Sequence, residues 1–335
     1  MAAGRLRIWF TRDDLHRLRV ADRPSPMWEL TMSLQRIQSR RPDGRPTPPI
    51  PADIATWRAD VLAGADRSAL RAAREVLLPL APVSSYFPDF LTPHAGLYGL
   101  EEGIDAACAT PRRQLAAQLA TLAARSGPPA WGVYLPRHRT SDLHRLERAL
   151  RRWFHAALAP RWPELRRRVA AEHALLARAG AKHGPDGVLS GLRPFSVWHP
   201  TERFLEAPYP MDRDLRLAGR GLTIVPSWFC CTAPVTLAGD DQPPVLVHPI
   251  GHQPPPPTGL DPLARLIGRT RAELLAAVTV ATPAPELCAR TGVSRAQVSR
   301  HLAALRDNHL VTETHRHGRT YYTRTELGDR LADGH

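Results

Sequence analysis

Lysine is all but missing. Lys182 is the only one among 45 basic residues, so the other 44 are arginines. A chain that avoids lysine and is rich in alanine, proline and arginine has the composition a GC-rich genome produces. Codon usage alone can set arginine on solvated faces, so the net charge of +13 says less than its placement. Cysteine is scarce as well. Cys108, Cys230, Cys231 and Cys288 show no C-x-x-C spacing and give no disulfide framework. Cys230 and Cys231 fall in the apolar run IVPSWFCC and read as small buried hydrophobes. No stretch approaches the roughly 20 apolar residues of a membrane helix. The opening MAAGRLRIWFTRDDL has no apolar run suited to a secretory signal. These absences predict a soluble cytoplasmic protein with no membrane partner.

The marks of common enzymes are missing too. There is no G-x-G-x-x-G after a strand, no G-x-x-x-x-G-K-[ST], no H-E-x-x-H and no G-x-S-x-G. His248 and His252, near Asp240 and Asp241, read as solvated loop residues. No catalytic residue, cofactor or metal ligand is expected.

What is there is enough apolar residue, 43%, to exclude a disordered chain, and enough length, 335 residues, for about two domains. The predicted class is α+β. Runs 5–10 and 15–21 alternate in part and predict a hairpin. From Ser25, apolar residues recur at helical spacing: Met27, Leu30, Leu34 and Ile37. Five prolines and a glycine make 40–51 a loop. Helices are predicted over 52–64, 66–78, 111–125 and 141–180, with loop and short helices over 79–105. Ten arginines lie between Arg137 and Arg168 against Asp142, Glu147 and Glu164, a net +7. That run reads either as a second nucleic-acid contact or, preferably, as the outer face of a helix whose Leu143, Leu146, Leu150, Phe154 and Leu158 turn inward. Over 195–250 the chain turns to strand, in GLTIVPSWFCCTAP and PPVLVHPI, with Gly239-Asp240-Asp241 as a turn between them. Four consecutive prolines at 254–257 mark a stiff linker. The predicted domains are therefore 1–253, mixed α and β, for effector binding or dimerisation; a linker over 254–259; and a small module over 260–335.

In that module Asp261 suits a cap and Pro262 a first turn, and Leu263, Leu266 and Ile267 form an apolar stripe. Thr270 and Glu273 have the spacing of a capping box, as do Ser294 and Gln297. Pro285 starts a short helix and Gly292 permits the turn after it. In the next helix Val298, Leu302 and Leu305 make one apolar face. The other faces carry Ser294, Arg295, Gln297, Ser299, Arg300 and His301, donors of the kind that reach base edges in a major groove. LVTETHRHGRTYYTRT reads as a hairpin with His315-Arg316-His317-Gly318 at its tip. Arg316, His317, Arg319 and Arg324 would meet phosphates or the minor groove. A last helix follows Thr325, with Leu327 and Leu331 inward. Over 290–324 seven arginines face Asp307 and Glu313, a net +5 in 35 residues. Turn glycine, polar helix face and basic hairpin together predict a winged helix-turn-helix that binds double-stranded DNA.

Residues 260–330, above all VSRHLAALRDNHLV, resemble the winged helix of ArsR/SmtB-type bacterial transcription regulators. A long α+β region ahead of a C-terminal winged helix also resembles a large actinobacterial subgroup. The resemblance implies a homodimer on a partly palindromic operator, usually a repressor released by a signal. It places Ser294, Arg295, Ser299, Arg300 and His301 where the family reads DNA. Metal-sensing members carry ELCVC here. This chain has PELCARTG, with Cys288 but Arg290 in place of the second thiolate, so an arsenic or zinc sensor is not expected. Upstream aromatics (Trp28, Trp57, Tyr86, Phe87, Trp131, Tyr134, Trp153, Trp198, Trp228) would either line a pocket for a small-molecule effector or fill the core. Two other functions stay open: an architectural protein that binds DNA without sequence preference, and an enzyme fused to a DNA-binding tail.

Overall fold

Buried Leu6 and Ile8 alternate with exposed Arg5 and Arg7 in β1 (Gly4–Trp9), the period of a half-buried strand. The hairpin expected of 5–10 and 15–21 does not form. Instead Thr11 starts a short helix, α1 (Arg12–His16), through a capping box. Its hydroxyl accepts the Asp14 backbone N–H at 3.2 Å, and the Asp14 carboxylate accepts the Thr11 N–H at 2.8 Å. The strand after it, β2 (Leu18–Val20), joins a different sheet. The computed structural model describes residues 4–64, 66–84, 86–126, 140–231, 233–237, 242–251, 262–278, 282–316 and 319–332. They mix helix and sheet and fall into two units, Met1–Gln253 and Pro254–His335. The 254–259 linker lies outside the described residues.

In the first unit a run of helices follows: α2 (Pro26–Ile37), α3 (Ala52–Gly64), α4 (Arg67–Ala72), α5 (Leu100–Cys108), α6 (Arg112–Ser126), α7 (Thr140–Trp153) and α8 (Trp162–Ser190). α4 and α7 each run on into a π-turn, over Ala73–Leu77 and Phe154–Leu158. Then come β3 (Val197–His199), β4 (Phe204–Tyr209), β5 (Arg213–Arg216), β6 (Leu222–Ser227), β7 (Val235–Leu237) and β8 (Val245–Pro249). One sheet has the order β3-β4-β1-β5, with β1 antiparallel to β4 and parallel to β5. The other runs β2-β6-β8-β7, with β2 and β8 parallel to β6. β7 and β8 are antiparallel, and Gly239, Asp240 and Asp241 between them lie outside the described residues. The segments β1-α1-β2 and β5-β6 thus pass side by side from one sheet to the other. Asp14 ties them, accepting the Gly221 N–H at 2.8 Å. Gly221 has φ +78°, and a Cβ there would come within 2.6 Å of the Arg17 carbonyl oxygen, so glycine is required.

α2 goes further than its apolar stripe predicts. Glu29, Thr31, Ser33 and Gln35 are buried along with Met27, Leu30 and Leu34. Each polar group is bonded, as burial demands: Thr31 to the Leu91 carbonyl, Gln35 to that of Pro82, and Ser33 to the Trp153 indole N–H. On α7 and the π-turn after it Leu146, Leu150, Phe154 and Leu158 are buried, and four arginines of this region pair with acids of neighbouring elements. Arg145 meets Glu75, Arg151 meets Glu101, Arg161 meets Asp60 and Arg168 meets Asp53, all within 3.0 Å. Four of the eight described arginines of this run are thus spent on helix packing, while Arg148, Arg152, Arg166 and Arg167 form no ion pair among the described residues. Among the described residues no helix is long and apolar enough to cross a membrane.

The second unit runs α9 (Pro262–Ile267), α10 (Arg269–Ala277), β9 (Thr282–Pro283), α11 (Ala284–Thr291), α12 (Arg295–Asp307), β10 (Val311–Arg316), β11 (Arg319–Arg324) and α13 (Glu326–Ala332). Leu274, Leu275, Val278, Leu287, Val298, Leu302 and Leu305 form its core. Three expectations fail here. Thr270 and Glu273 make no capping box, because α10 starts at Arg269 behind Gly268 (φ +87°) and Glu273 pairs with Arg269 at 2.8 Å. Leu266 does not join the buried stripe; it is 74% exposed, since a six-residue helix turns only one row, that of Leu263, to the core. Leu327 is 50% exposed, and Leu331 makes the inward contact of α13. Asp261 lies outside the described residues.

Candidate nucleic-acid interface

α11 and α12 meet through a tight turn. Gly292 takes φ +67° and donates its N–H to the Cys288 carbonyl at 2.9 Å, closing α11 with a left-handed residue. Two residues later Ser294 opens α12 in extended conformation (φ −62°, ψ 148°). Its hydroxyl does not cap the backbone as expected. It donates to Oε1 of Gln297 at 2.8 Å, a side-chain contact that replaces the capping box.

The helix has two clearly different sides. Val298, Leu302 and Leu305 are buried against α10 and α11. Ser294, Arg295, Gln297, Ser299 and Arg300 are exposed, and His301 is half-buried beside them. Charge separates along the same line. Arg290 pairs with Glu286 and donates to the Ala277 carbonyl at 3.1 Å. Arg306 is held by Glu313 at 2.8 Å and Asp307 at 3.2 Å. Arg324, expected to face phosphate, lies 2.8 Å from Asp329 of α13 and is largely covered. Among the described residues Arg295 and Arg300 have no ion pair. The net +5 of this segment therefore reduces to two unspent guanidiniums on the outer face of α12, plus the hairpin tip.

In the hairpin β10 and β11 pair from Val311↔Arg324 to Arg316↔Arg319. The tip is shorter than the expected 315–318, for His315 and Arg316 are still in the ladder. His317 and Gly318 lie outside the described residues, as do the side chains of Arg316 and Arg319. His315 is engaged: the Thr320 hydroxyl lies 3.0 Å from its Nδ1 and Glu313 lies 3.4 Å from its Nε2. Sequence reasoning missed Thr320, which a two-residue loop at His317-Gly318 would have placed opposite His315. It also missed β9, whose Thr282 and Pro283 pair with Tyr322 and Tyr321 and carry the hairpin onto the helices. Two residues of strand give no periodicity to find.

Cys288 is half-buried against the core. Among the described residues no group of three or more His, Cys, Asp or Glu could hold a metal ion. In the first unit His248 is not a solvated loop residue. It lies on β8, 1% exposed, edge-on to Phe195, and burial pushes its imidazole down to about 4. The upstream aromatics divide. Trp57, Trp153, Trp198 and Trp228 are core residues with indole N–H groups bonded to Ala157, Ser33, Asp186 and Asp53. Trp28, Tyr86 and Phe87 meet at a cavity. Trp131 and Tyr134 lie outside the described residues. No family model, curated protein or solved structure matches this chain.

Proposed function

We propose that the second unit is a winged helix-turn-helix of the ArsR/SmtB kind that binds double-stranded DNA, with α11 and α12 as the helix pair and β10–β11 as the wing. The observation that carries this is the outer face of α12: Ser294, Arg295, Gln297, Ser299 and Arg300 stand exposed together, and neither guanidinium is spent on a carboxylate among the described residues. A helix so arranged fits the major groove, where arginine pairs with guanine and glutamine with adenine. His301 borders that face. Arg316, His317 and Arg319 belong at the tip of the wing, against phosphate. The protein acts as a homodimer, and the exposed Leu266 and Leu327 support self-association. Two recognition helices then lie about one DNA turn apart, roughly 34 Å, and demand a site with dyad symmetry. The cell-level role is transcription regulation, as a repressor controlled by an organic effector in the first unit.

The test is selection of genomic fragments by the purified protein at physiological salt, followed by sequencing. One enriched palindromic motif is expected. Recovery of DNA without a motif would leave a non-specific architectural binder and overturn the regulator. Within a motif, Arg295→Ala should cost about 1–3 kcal/mol and relax base choice at one position per half-site.

A further inference from the structure

Trp28, Tyr86 and Phe87 come from α2 and from the loop before α5, and they wall a cavity of about 280 Å³ in the first unit. Its other side is built from Tyr209 and Arg213 at the end of one sheet, from β7 of the other, and from Arg125 on α6. The aromatic wall is already set: Phe87 stands edge-on to Trp28 at 6.1 Å and 83°. Arg125 lies over the Tyr86 ring, 5.5 Å from its centroid. Among the described residues neither Arg125 nor Arg213 forms an ion pair or a side-chain hydrogen bond. This contrasts with Arg145, Arg151, Arg161 and Arg168, each of which is committed to a carboxylate. Asp89 shares the rim and offsets one of the two positive charges, so the cavity keeps a net +1.

Each part of this lining selects for something. Flat walls favour a flat ring, with edge-to-face contacts available on two sides. A guanidinium accepts a carboxylate through two parallel hydrogen bonds, a preference no neutral headgroup shares. The volume lies just below the usual range of ligand pockets, about 300–1,000 Å³, and suits one or two fused rings. We propose that this cavity binds a small aromatic carboxylate, its ring against Trp28, Tyr86 and Phe87 and its carboxylate held by Arg125 and Arg213. The inference deepens the reading of the chain as an effector-controlled regulator and supplies the effector's chemical class.

Isothermal titration of the full chain tests it, with benzoate, 1-naphthoate and indole-3-acetate as probes and benzyl alcohol, 1-naphthalenemethanol and acetate as controls. Saturable binding of at least one aromatic acid is expected, at least tenfold tighter than its alcohol or acetate. Arg125→Gln and Arg213→Gln should each weaken it by roughly 10–100-fold, the loss of a charge-assisted bond. Both side chains are exposed, so both variants should keep the parent's thermal unfolding. Phe87→Ala provides a second handle on the wall and should weaken the acid as well. Absence of binding by all three acids, equal binding of acid and alcohol, or binding indifferent to both arginine variants overturns the site. DNA binding measured with and without the acid separates the two claims. An acid that binds but leaves the protein–DNA affinity unchanged overturns the effector role alone. A protein that binds the acid but no DNA overturns the DNA-binding reading and leaves the cavity's ligand standing.

Discussion

Glu29 shows how one buried side chain can make stability depend on pH. It sits on α2 with no exposure, and its carboxylate accepts N–H groups of Trp228 at 2.9 Å and Phe229 at 3.1 Å and the Ser227 hydroxyl at 3.1 Å. Burial outweighs those donors and pushes the carboxyl up to about 7, from 4.5 in the unfolded chain. An acid raised in the folded state contributes its stability while protonated. That contribution is full below pH 4.5 and is lost as pH rises through 7. Denaturant titration of wild type and Glu29→Gln should therefore show a wild-type advantage that shrinks between pH 4.5 and 8. The change should be on the order of 3 kcal/mol. A gap independent of pH would mean that Glu29 does not titrate there. At the hairpin, Arg319→Ala should weaken all DNA sequences alike and lower the slope of log K against log salt by about one. If it altered the preferred sequence instead, Arg319 would be reading bases.

At the scale of the element, what the sequence discloses depends on how local the cause is. α12 was legible because its cause is local: three apolar residues at helical spacing, a turn glycine before and a short hairpin after. Gly292, in the left-handed conformation, lets the chain turn from α11 toward α12. Nothing lies within 4 Å of where its Cβ would stand, so Gly292→Ala meets only the cost of φ +67°. About 1–2 kcal/mol of lost stability is expected in denaturant unfolding; no loss would mean the turn is not held there. The capping boxes were legible as spacings but not as bonds. Thr11-Asp14, which was not picked out, forms one; Thr270-Glu273 and Ser294-Gln297, which were, do not. A serine at the right place still chooses between the backbone and a neighbouring side chain, and Arg269 competes for Glu273. β1 and β2 were legible as strands, but their partners were not, because alternation says which face is buried and nothing about a strand 200 residues away. The cavity escaped for the same reason: Arg125 and Arg213 are ordinary in an arginine-rich chain until folding sets both on the wall of one cavity. Asp14 should be the weak point of that long-range arrangement. Burial raises its carboxyl, but bonds from Thr11 and Gly221 outweigh this and hold it below the usual range. Asp14→Ala should cost roughly 1–3 kcal/mol, in full above the unfolded value of 3.8 and less only as pH falls below it through the lowered folded value.

For the whole molecule, self-association and DNA binding are expected to stand or fall together. Leu266 and Leu327 are exposed apolar groups on the first and last helices of the second unit. Changing both to glutamate should leave the unit's core intact and shift sedimentation from dimer to monomer. Affinity for a palindromic site should fall far more than affinity for random DNA. A variant that stays dimeric would move the interface elsewhere, and a monomeric wild type would overturn the homodimer. The double crossing of the first unit has a consequence in time. β1 and β2 leave the ribosome some 200 residues ahead of β4, β5 and β6, with Asp14 paired to Gly221 across 207 positions. At about 5–20 residues per second, Leu6, Ile8 and Phe10 wait on the order of 10–40 s for a partner. During synthesis this stretch is an unpaired apolar strand, exposed to chaperones and to its copies on neighbouring ribosomes, and the first unit cannot be completed until its last strands arrive.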